Sequence, residues 1–514
     1  MERAQDHYDW IVLGDHPTAL LSAALVARLG LSVLVVPLSP STRARVSQSG
    51  QCLDPESNWV PGALTGAGLF STCLAGLGIA PAELARIRRD PVSCQVLTHS
   101  HRISLSSEGE FFSRELNREF GAQAKGLGLV DALAAGQNEW LAYWKNLPEA
   151  MRITRDEGGV KRSKGLMTSP RDLQIELQKK QPSAAAVWAD SRASVSELAN
   201  RSGLPVLQEV CSGLWYGMVG SENPDPRAAE FLKALATSFS SASFVGGATA
   251  FRNFLKLLAT RLGARVESEV DCRRIFVDRT GFLGVQMAHS GTVISGHGCL
   301  LGASLDHARS HLSESGEAWN KKLKASPKPE GWRMTLALTV NAEAIPPGMT
   351  SRNFWKEPGA PVLEIETANP ADYGVMNPGA KLVFLRTVMP FSDESLDPRY
   401  QRLMAGRMFR KLTEIMPFVE FHVKRVYPDF HVESSLADFS EAYGFKSLDE
   451  IPESLRVISK NGVSSRSGVE GLFLATGEAY PENVGMGPLV AALEATAWVA
   501  HRAGLPGPFL ESTR

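Results

Sequence analysis

The stretch VLGDHPTALLSAALVARLGLSVLVVPL, residues 12–38, decides the fold of this chain. An apolar run leads into a turn, an Ala- and Leu-rich segment follows, and SVLVV is a continuous apolar run typical of a parallel strand buried on both faces. This order predicts a strand, a helix over residues 18–29 and a second strand, which together form a βαβ unit. Its turn is GDHPTA, where a dinucleotide-binding turn normally has G-x-G-x-x-G.

The turn departs from that pattern at several positions. Gly14 holds the first glycine position, His16 the second and Ala19 the third. The first glycine forms the bend, the second lets the backbone approach the pyrophosphate, and the third allows close packing of helix on strand. His16 places a ring where the phosphates would lie, and Pro17 removes an N–H from the helix N-terminus. Pro37 stands where an acidic residue would bind the ribose. We expect His16 either to obstruct the phosphates or, when protonated, to donate to one.

Composition limits the function classes. The 54 Lys and Arg against 55 Asp and Glu give a formal net charge of -1, so no long-range field attracts nucleic acid. Six cysteines without a C-x-x-C spacing are typical of buried residues in a reducing compartment, and no metal site is predicted. With 514 residues and 44% hydrophobic content, the chain is predicted to form two interleaved domains.

The N-terminus MERAQDHYDW is charged and lacks the apolar segment of a signal peptide. The apolar stretch over residues 18–38 is divided by Arg28 and Gly30 into a helix and a strand, so we predict no transmembrane span. We expect a cytoplasmic protein, with contact to a membrane surface left open.

Later segments repeat the βα style. FVGGATAFRNFLKLLATRLG, residues 244–263, predicts a turn and an amphipathic helix, with short strands after it. Residues 331–386 contain the alternating runs RMTLALTV and KLVFLRTV, which predict an antiparallel sheet, and a charged helix is predicted over 400–415. Residues 471–504 predict a strand, a loop and a closing helix with Pro488 in its first turn. Residues 76–234 are mostly helical in pattern.

In this order the segments resemble the flavin-dependent amine oxidase and phytoene desaturase superfamily. The resemblance covers roughly residues 8–62, 244–305 and 468–504. It implies an α/β fold in which a Rossmann-like FAD/NAD(P)-binding domain with a parallel sheet is interleaved with an α+β substrate domain. The implied boundaries are 1–75, 235–310 and 455–514 for the FAD-binding domain, and 76–234 and 311–454 for the substrate domain.

The resemblance assigns residues to the nucleotide end of the cofactor. In PSTRARVSQSGQCLD, Arg43 matches the arginine that lies against the pyrophosphate in the family, and Asp54 matches a later acid. Ser41 and Thr42 replace two glycines of the family pattern. A lone arginine in a polar loop is also commonly just solvated.

A second group is implied near the adenine. Gly246 and Gly247 match the paired glycines before a helix, and Gly263 and Ala264 follow it. Cys272 stands where the family usually has valine, in a segment whose backbone meets the adenine. Paired glycines before a helix also shape an ordinary turn.

A third group is implied at the flavin ring. Gly477 and Glu478 match the pair that meets the ribityl chain, and Gly485, Met486 and Gly487 match the loop that passes the ring. The partial positive charge at the N-terminus of the last helix, roughly +0.5 of an elementary charge, would face the pyrimidine edge of the isoalloxazine. A glycine loop that only caps a helix is the alternative. The ring half of the site is thus retained, whereas the pyrophosphate half is eroded.

Other chemistry is weakly represented. The chain has no G-x-S-x-G, H-E-x-x-H or G-x-x-x-x-G-K-[ST] motif. His99 and His101 alternate on a predicted strand, VLTHSHRISL, so both are expected to face one side, but no third ligand is identifiable. No catalytic acid or base is assigned.

Three functions stay open. The first is an FAD-dependent oxidoreductase that removes hydride from an apolar small molecule, in a mainly apolar cavity between residues 205–220, the 331–386 sheet and the loop at Gly485. The second is a binding protein on the same fold that has lost its flavin, as the Rab GDP-dissociation inhibitors did. The third is a nicotinamide-dependent reductase, which the missing glycines and Pro37 disfavour further.

Overall fold

The computed structural model gives the course of the chain over most of its length. It describes residues 7–38, 46–48, 51–53, 59–60, 62–63, 68–79, 83, 87–88, 94–106, 109–121, 123, 153–156, 159–162, 194–219, 225–228, 230–231, 234, 241–267, 270–312, 327–370, 379–431, 436–451, 455–457, 462–463, 465–479 and 486–505.

The strands in these ranges are numbered in chain order. They are β1 (His7–Leu13), β2 (Val33–Val36), β3 (Val46–Gln48), β4 (Gln51–Leu53), β5 (Trp59–Val60), β6 (Ile87–Arg88), β7 (Cys94–Leu97), β8 (Arg102–Leu105), β9 (Ile153–Asp156), β10 (Gly159–Arg162), β11 (Ala242–Phe244), β12 (Arg265–Val266), β13 (Cys272–Asp278), β14 (Gly281–Met287), β15 (Val293–Leu301), β16 (Gly331–Asn341), β17 (Arg352–Trp355), β18 (Leu363–Ala368), β19 (Ala380–Pro390), β20 (Val423–Tyr427), β21 (Arg456–Val457) and β22 (Leu472–Leu474).

The α-helices are numbered in the same way. They are α1 (Pro17–Arg28), α2 (Leu69–Gly76), α3 (Gly109–Phe120), α4 (Val195–Ser202), α5 (Val206–Val219), α6 (Gly247–Arg261), α7 (Leu305–Ser310), α8 (Pro398–Ile415), α9 (Val419–His422), α10 (Leu436–Tyr443) and α11 (Gly487–Arg502).

The first sheet is built around the opening βαβ unit. Its strands run in the order β12, β2, β1, β15, β14 and β13, and β22 pairs with the carboxyl end of β15. Strands β12, β2, β1, β15 and β22 are mutually parallel, whereas β13 and β14 are antiparallel additions. All four residues of β2 are buried, as the continuous apolar run SVLVV predicts. The predicted Rossmann-like α/β fold is confirmed.

Helix α1 lies at the centre of the layer that covers this sheet. It packs against α6 and α11, which come from distant parts of the chain. Ten of its residues are buried, because Ala and Leu surround the helix on every side. Pro17 stands at its first turn, where the missing N–H costs no intrahelical hydrogen bond.

The second sheet follows the order β20, β16, β19, β18, β17, β7 and β8, with β21 also paired to β16. Strands β16 and β19 pair antiparallel over their full length, from Gly331 opposite Pro390 to Asn341 opposite Ala380. The antiparallel sheet predicted over residues 331–386 is therefore present, and α8 confirms the charged helix predicted over 400–415. Helix α8 buries Ala405, Met408 and Leu412 in the same cluster as Leu336 and Leu385 of the sheet.

One segment differs from its sequence pattern. Residues 94–105 form a hairpin of β7 and β8, and the N–H of Thr98 donates to the carbonyl of His101 across the turn. His99 and His101 therefore lie in a turn and do not alternate along one strand, so that prediction is wrong. His101 Nδ1 lies 3.0 Å from Glu119 Oε2, which gives this histidine a structural partner.

The sheets draw on the chain in different ways. The first takes strands from residues 7–36, 265–301 and 472–474, and the second takes strands from 94–105 and 331–457. The exact domain boundaries stay a prediction. Within the described residues, no helix is long and apolar enough to cross a membrane.

A packing contact at the end of β15 gives the first testable prediction. A Cβ placed on Gly302 would meet the Cβ of Ala19 and lie 3.0 Å from the carbonyl oxygen of Leu13. We expect Gly302→Ala to lower the free energy of unfolding by about 1 to 3 kcal/mol, the usual cost of overpacking. Ala19→Gly in the same chain should recover part of this loss, so a double-mutant cycle in denaturant measures the coupling.

The control is Gly406→Ala in the middle of α8, where the nearest atom to the new Cβ is 3.8 Å away. This variant should be neutral or gain up to about 1 kcal/mol from lower backbone entropy. Strictly additive effects of the Ala19 and Gly302 substitutions would show that the two residues do not press on each other.

Candidate functional site

The turn at the carboxyl end of β1 keeps the bend of a dinucleotide-binding site. Gly14 has φ +114°, and a Cβ there would lie 2.8 Å from the carbonyl oxygen of Gly302. The N–H of Gly14 donates to Val36 (2.8 Å), and that of Gly302 donates to Leu13 (2.7 Å). Only glycine meets both the backbone and the space requirement at position 14.

His16 precedes α1 and does not cap it with its side chain. Burial lowers the pKa of His16 to about 4, a hydrogen bond to the backbone of Gly302 opposes this, and the charge of Arg252 adds to it. The ring is therefore neutral at neutral pH. Its Nε2 atom is buried without a hydrogen-bond partner in the described part of the chain. This environment favours the obstructing role of His16 over the protonated donor.

Arg252 is a cation at this turn that the sequence motifs did not identify. It lies on α6, is only 8% exposed, and acts electrostatically on His16. On the same helix, Lys256 Nζ is 3.6 Å from Asp15 Oδ2. Helix α6 thus brings two cations to the turn. The only sequence signal for them is their helical spacing, four residues apart and between one and three turns after Gly246 and Gly247.

The residues that the resemblance assigns to the adenine side lie at the start of α6 and at the start of β13. Gly246 and Gly247 form the left-handed turn that begins α6, with φ +87° and +74°. Cys272 begins β13 and is buried. Its N–H donates to the carbonyl of Pro37 (2.9 Å), so this amide is already used by the end of β2.

Glu478 lies just beyond the carboxyl end of β22 and is 1% exposed. Its Oε2 accepts the N–H of Leu305 (3.2 Å) at the start of α7. Its Oε1 is buried and accepts no hydrogen bond from any group in the described ranges. A buried polar atom in this state is unusual and needs an explanation, such as an absent ligand.

Electrostatics at Glu478 follow from this burial. Desolvation raises the pKa of Glu478 to about 7, against the hydrogen bond from Leu305 and the charge of Arg456, which lower it. The carboxyl is therefore close to half ionised at neutral pH. In either protonation state Oε1 can form a hydrogen bond with a hydroxyl group of a bound molecule.

The closing helix α11 packs on the short helical turn that contains Glu478. Met486 precedes α11, Gly487 is its first residue, and both are buried. The Met486 thioether packs on Gly62, which leaves no room for a side chain there. Helix α11 contacts the short helical turn Gly477–Ala479, so Gly477, Glu478, Met486 and Gly487 lie in one region.

Two of the predicted site residues cannot be placed. Arg43, with Ser41, Thr42 and Asp54 around it, lies outside the described residues, and so does Gly485. Among those that are described, the structure brings Gly14, His16 and Ala19 together at one turn, and gathers the residues at β22 and α11 in another group.

A separate cluster lies at the opposite edge of the first sheet. His7, Asp9 and His297 have donor atoms within 4.8 Å of one another, on the neighbouring strands β1 and β15. Asp9 Oδ2 accepts two hydrogen bonds from Ser32, both 2.8 Å long. Strand β1 separates this exposed cluster from Gly14 by roughly 20 Å, so it takes no part in the site at the carboxyl edge.

Comparison with solved structures gives the class of fold. No protein-family model matches the chain, and no curated protein matches its sequence. An oxidoreductase from Methanosarcina mazei has a TM-score of 0.56 at 14% identity, over 93% of this chain and 98% of that one. A triple mutant of putrescine oxidase, from a redesign of its cofactor binding, has a TM-score of 0.51 at 12% identity, over 97% and 99%.

The PF1083 protein from Pyrococcus furiosus has a TM-score of 0.50 at 11% identity, over 95% of this chain and 97% of that one. These likenesses concern the fold. The chain shares the fold of these solved structures, among them an oxidoreductase and a putrescine oxidase, and the fold that the sequence resemblance implies is confirmed.

The buried carboxyl gives a prediction on pH dependence. The pKa of Glu478 is raised from its usual 4.5 to about 7 in the folded state. At a pH between these two values, the carboxyl stays protonated in the folded chain but ionises in the unfolded chain. Without ligand, its contribution to stability is therefore lost as pH rises through this range. We expect Glu478→Gln to become more stable relative to the natural chain by about 2 to 3 kcal/mol between pH 4.5 and pH 8.

Urea unfolding of both chains across this pH range measures the difference. Glu420→Gln, at an exposed position, serves as the control and should show no such trend. If the difference in unfolding free energy between Glu478→Gln and the natural chain did not change with pH, the pKa of this carboxyl would not be raised in the folded chain.

Proposed function

We propose that this protein is an FAD-dependent oxidoreductase that acts on an apolar small molecule. The observation that carries the proposal is Glu478 Oε1, a buried oxygen without a partner in the described residues, at the carboxyl edge of a Rossmann-like sheet. Ligands of open α/β sheets bind at this edge. The fold is shared with oxidoreductases that include putrescine oxidase.

The residues at this edge fit the ribityl and ring part of the cofactor. Glu478 offers Oε1 to a ribityl hydroxyl, while its Oε2 is held by the N–H of Leu305. The N-terminus of α11 supplies a partial positive charge, and the side chain of Met486, just before this helix, packs against Gly62. These residues would hold FAD, which would supply the acceptor for a hydride equivalent from the substrate.

The phosphate end of the cofactor depends on different groups. His16 is neutral and occupies the turn, so it contributes bulk and no positive charge. Arg252, buried beside it on α6, supplies the charge that the eroded glycine turn lacks. A hydrogen bond to a charged group is worth about 1.5 to 3 kcal/mol, enough to offset one lost backbone contact.

A flavin-free binding protein on the same fold is the second candidate. The ring of His16 in the turn and the Cys272 N–H donated to Pro37 both favour it, because each removes a contact that the nucleotide would use. In that case the apolar molecule is bound and released unchanged.

Colour separates the two candidates. The purified protein, in a buffer near neutral pH, is expected to be yellow and to show the absorbance spectrum of a bound flavin. Heat denaturation should release FAD into the supernatant. Protein that is colourless as isolated, and stays so after incubation with excess FAD and removal of the unbound cofactor, would contradict the oxidoreductase proposal and leave the binding protein.

Two substitutions test the phosphate end. His16→Gly should raise FAD affinity about tenfold by removing the obstructing ring, whereas Arg252→Gln should lower it at least tenfold. Arg261→Gln is the matched control, since Arg261 lies on the same helix but pairs with Glu83 at the surface. Fluorescence titration with FAD measures all three. Unchanged affinity in the first two variants would show that the turn does not touch the nucleotide.

A further inference from the structure

The second sheet carries a buried network of charges on one face. Arg386 Nη1 lies 2.6 Å from Glu366 Oε2 and 3.6 Å from Glu364 Oε1, and none of the three side chains is more than 2% exposed. Arg352 Nε reaches Glu364 Oε1 at 3.1 Å. Strand pairing places these residues together, because Arg386 lies opposite Glu364 and Arg352 lies opposite Glu366.

Arg333 is the additional cation of this face. It stands two residues before Thr335, which lies opposite Arg386 in the register of β16 and β19. Its charge acts on Glu364, as do those of Arg352 and Arg386. Burial opposes ionisation of the Glu364 carboxyl, but the three guanidinium groups outweigh it and hold its pKa below the usual value.

The charges on this face do not balance. Three arginines face two glutamates, so the described residues of the network carry a net charge of +1. The close ion pairs use Arg352 and Arg386, and Arg333 Nε is buried without a partner among the described residues. A buried N–H without an acceptor is costly, and an anion bound at Arg333 would supply the acceptor that its Nε lacks. The Arg333 side chain is partly exposed, which leaves it accessible to such an anion.

Contacts connect this network to the proposed flavin site. The Arg352 guanidinium lies 5.7 Å from the ring of Trp59, on β5, and its Nη2 donates to the carbonyl of Gly217 on α5 (2.7 Å). Gly62 follows Trp59 by three residues and packs on Met486. The charged face therefore lies on the same side of the sheet as α5 and Trp59, close in sequence to the glycine that packs on Met486.

We infer that Arg333 and its network bind the carboxylate of a small molecule whose remaining part is apolar. This inference refines the substrate class of the proposed oxidoreductase. The bound acid is a substrate only if that proposed function holds, although the binding itself requires no flavin. The expected apolar cavity between residues 205–220 and the 331–386 sheet then has one cationic wall.

A carboxylate fits this wall better than a phosphate group. The planar guanidinium of arginine matches the two oxygens of a carboxylate, and one negative charge cancels the net charge of +1. A phosphate dianion leaves an excess negative charge beside Glu364 and Glu366, which are already buried. Like charges in such a place repel strongly.

The test compares an acid with its neutral isostere. Titration calorimetry measures binding of 4-phenylbutyrate and 4-phenylbutyramide to the full chain, once as purified and once with excess FAD. We expect the acid to bind at least about tenfold more tightly than the amide, as a charged hydrogen bond implies. Arg333→Gln should abolish this preference, and Arg333→Lys should keep part of it.

Arg425→Gln is the matched control, because Arg425 lies on β20 next to β16 with its side chain exposed. It should keep the full preference for the acid. Thermal unfolding checks that each variant is folded. If Arg333→Gln does not fold, Arg333→Lys still tests the role of the charge at this position. Equal binding of acid and amide, no saturable binding of the acid, or a preference that persists without the charge at position 333 would each overturn the inference.

The two proposals fail separately. A protein that holds no FAD but prefers the acid through Arg333 retains the carboxylate site and loses the oxidoreductase function. A yellow protein without the preference retains the oxidoreductase function and loses the carboxylate site.

Discussion

Gly302 has no side chain, and because of this helix α1 packs directly on the end of β15 through Ala19. In a dinucleotide-binding turn the third glycine normally provides this close approach from the helix side. Here the strand provides it, so alanine is accommodated at position 19. Since α1 also packs against α6 and α11, this contact determines where the amino ends of both helices lie relative to the sheet.

The two ends of the site differ in what they offer to a dinucleotide. At the nucleotide end, the His16 ring lies in the turn and the Cys272 amide at the start of β13 is already hydrogen-bonded, so both occupy places where a nucleotide would make contacts. At β22 and α11, Glu478 has an oxygen that the described residues leave unsatisfied, and a helix N-terminus lies nearby. Losing one or two contacts costs a few kcal/mol, so in the proposed FAD site the affinity would depend mainly on the ring half and on Arg252.

Local patterns in the sequence were sufficient for the elements that bury continuous apolar runs or whole helical faces. The first βαβ unit, the pairing of β16 with β19 and the closing helix all follow from such runs. Register and turns between elements were not predictable in this way. VLTHSHRISL alternates like one strand, yet hydrogen bonds across residues 98–101 fold it into a hairpin.

The charged face of the second sheet is a second feature that local sequence patterns could not predict. In LEIETA the alternation of Glu364 and Glu366 with apolar residues is typical of a strand with one solvated face. Both glutamates are buried, because arginines from β17 and β19 meet them across the sheet. Pairing over 12 to 22 residues of sequence creates this network, and no local window contains it.

A buried network of this kind contributes little stability by itself, since desolvation offsets much of the Coulomb attraction. Apolar residues of similar size would serve packing at least as well, so the network is better explained by what it binds than by the fold. An acid group at Arg333 pairs the remaining charge and fixes one end of an otherwise apolar molecule. Arg352 contacts Trp59 and Gly217, so α5 lies on the side of the sheet where the apolar part of such a molecule would be bound. One fixed charge thus supplies orientation, which apolar contacts alone provide poorly because they are not directional.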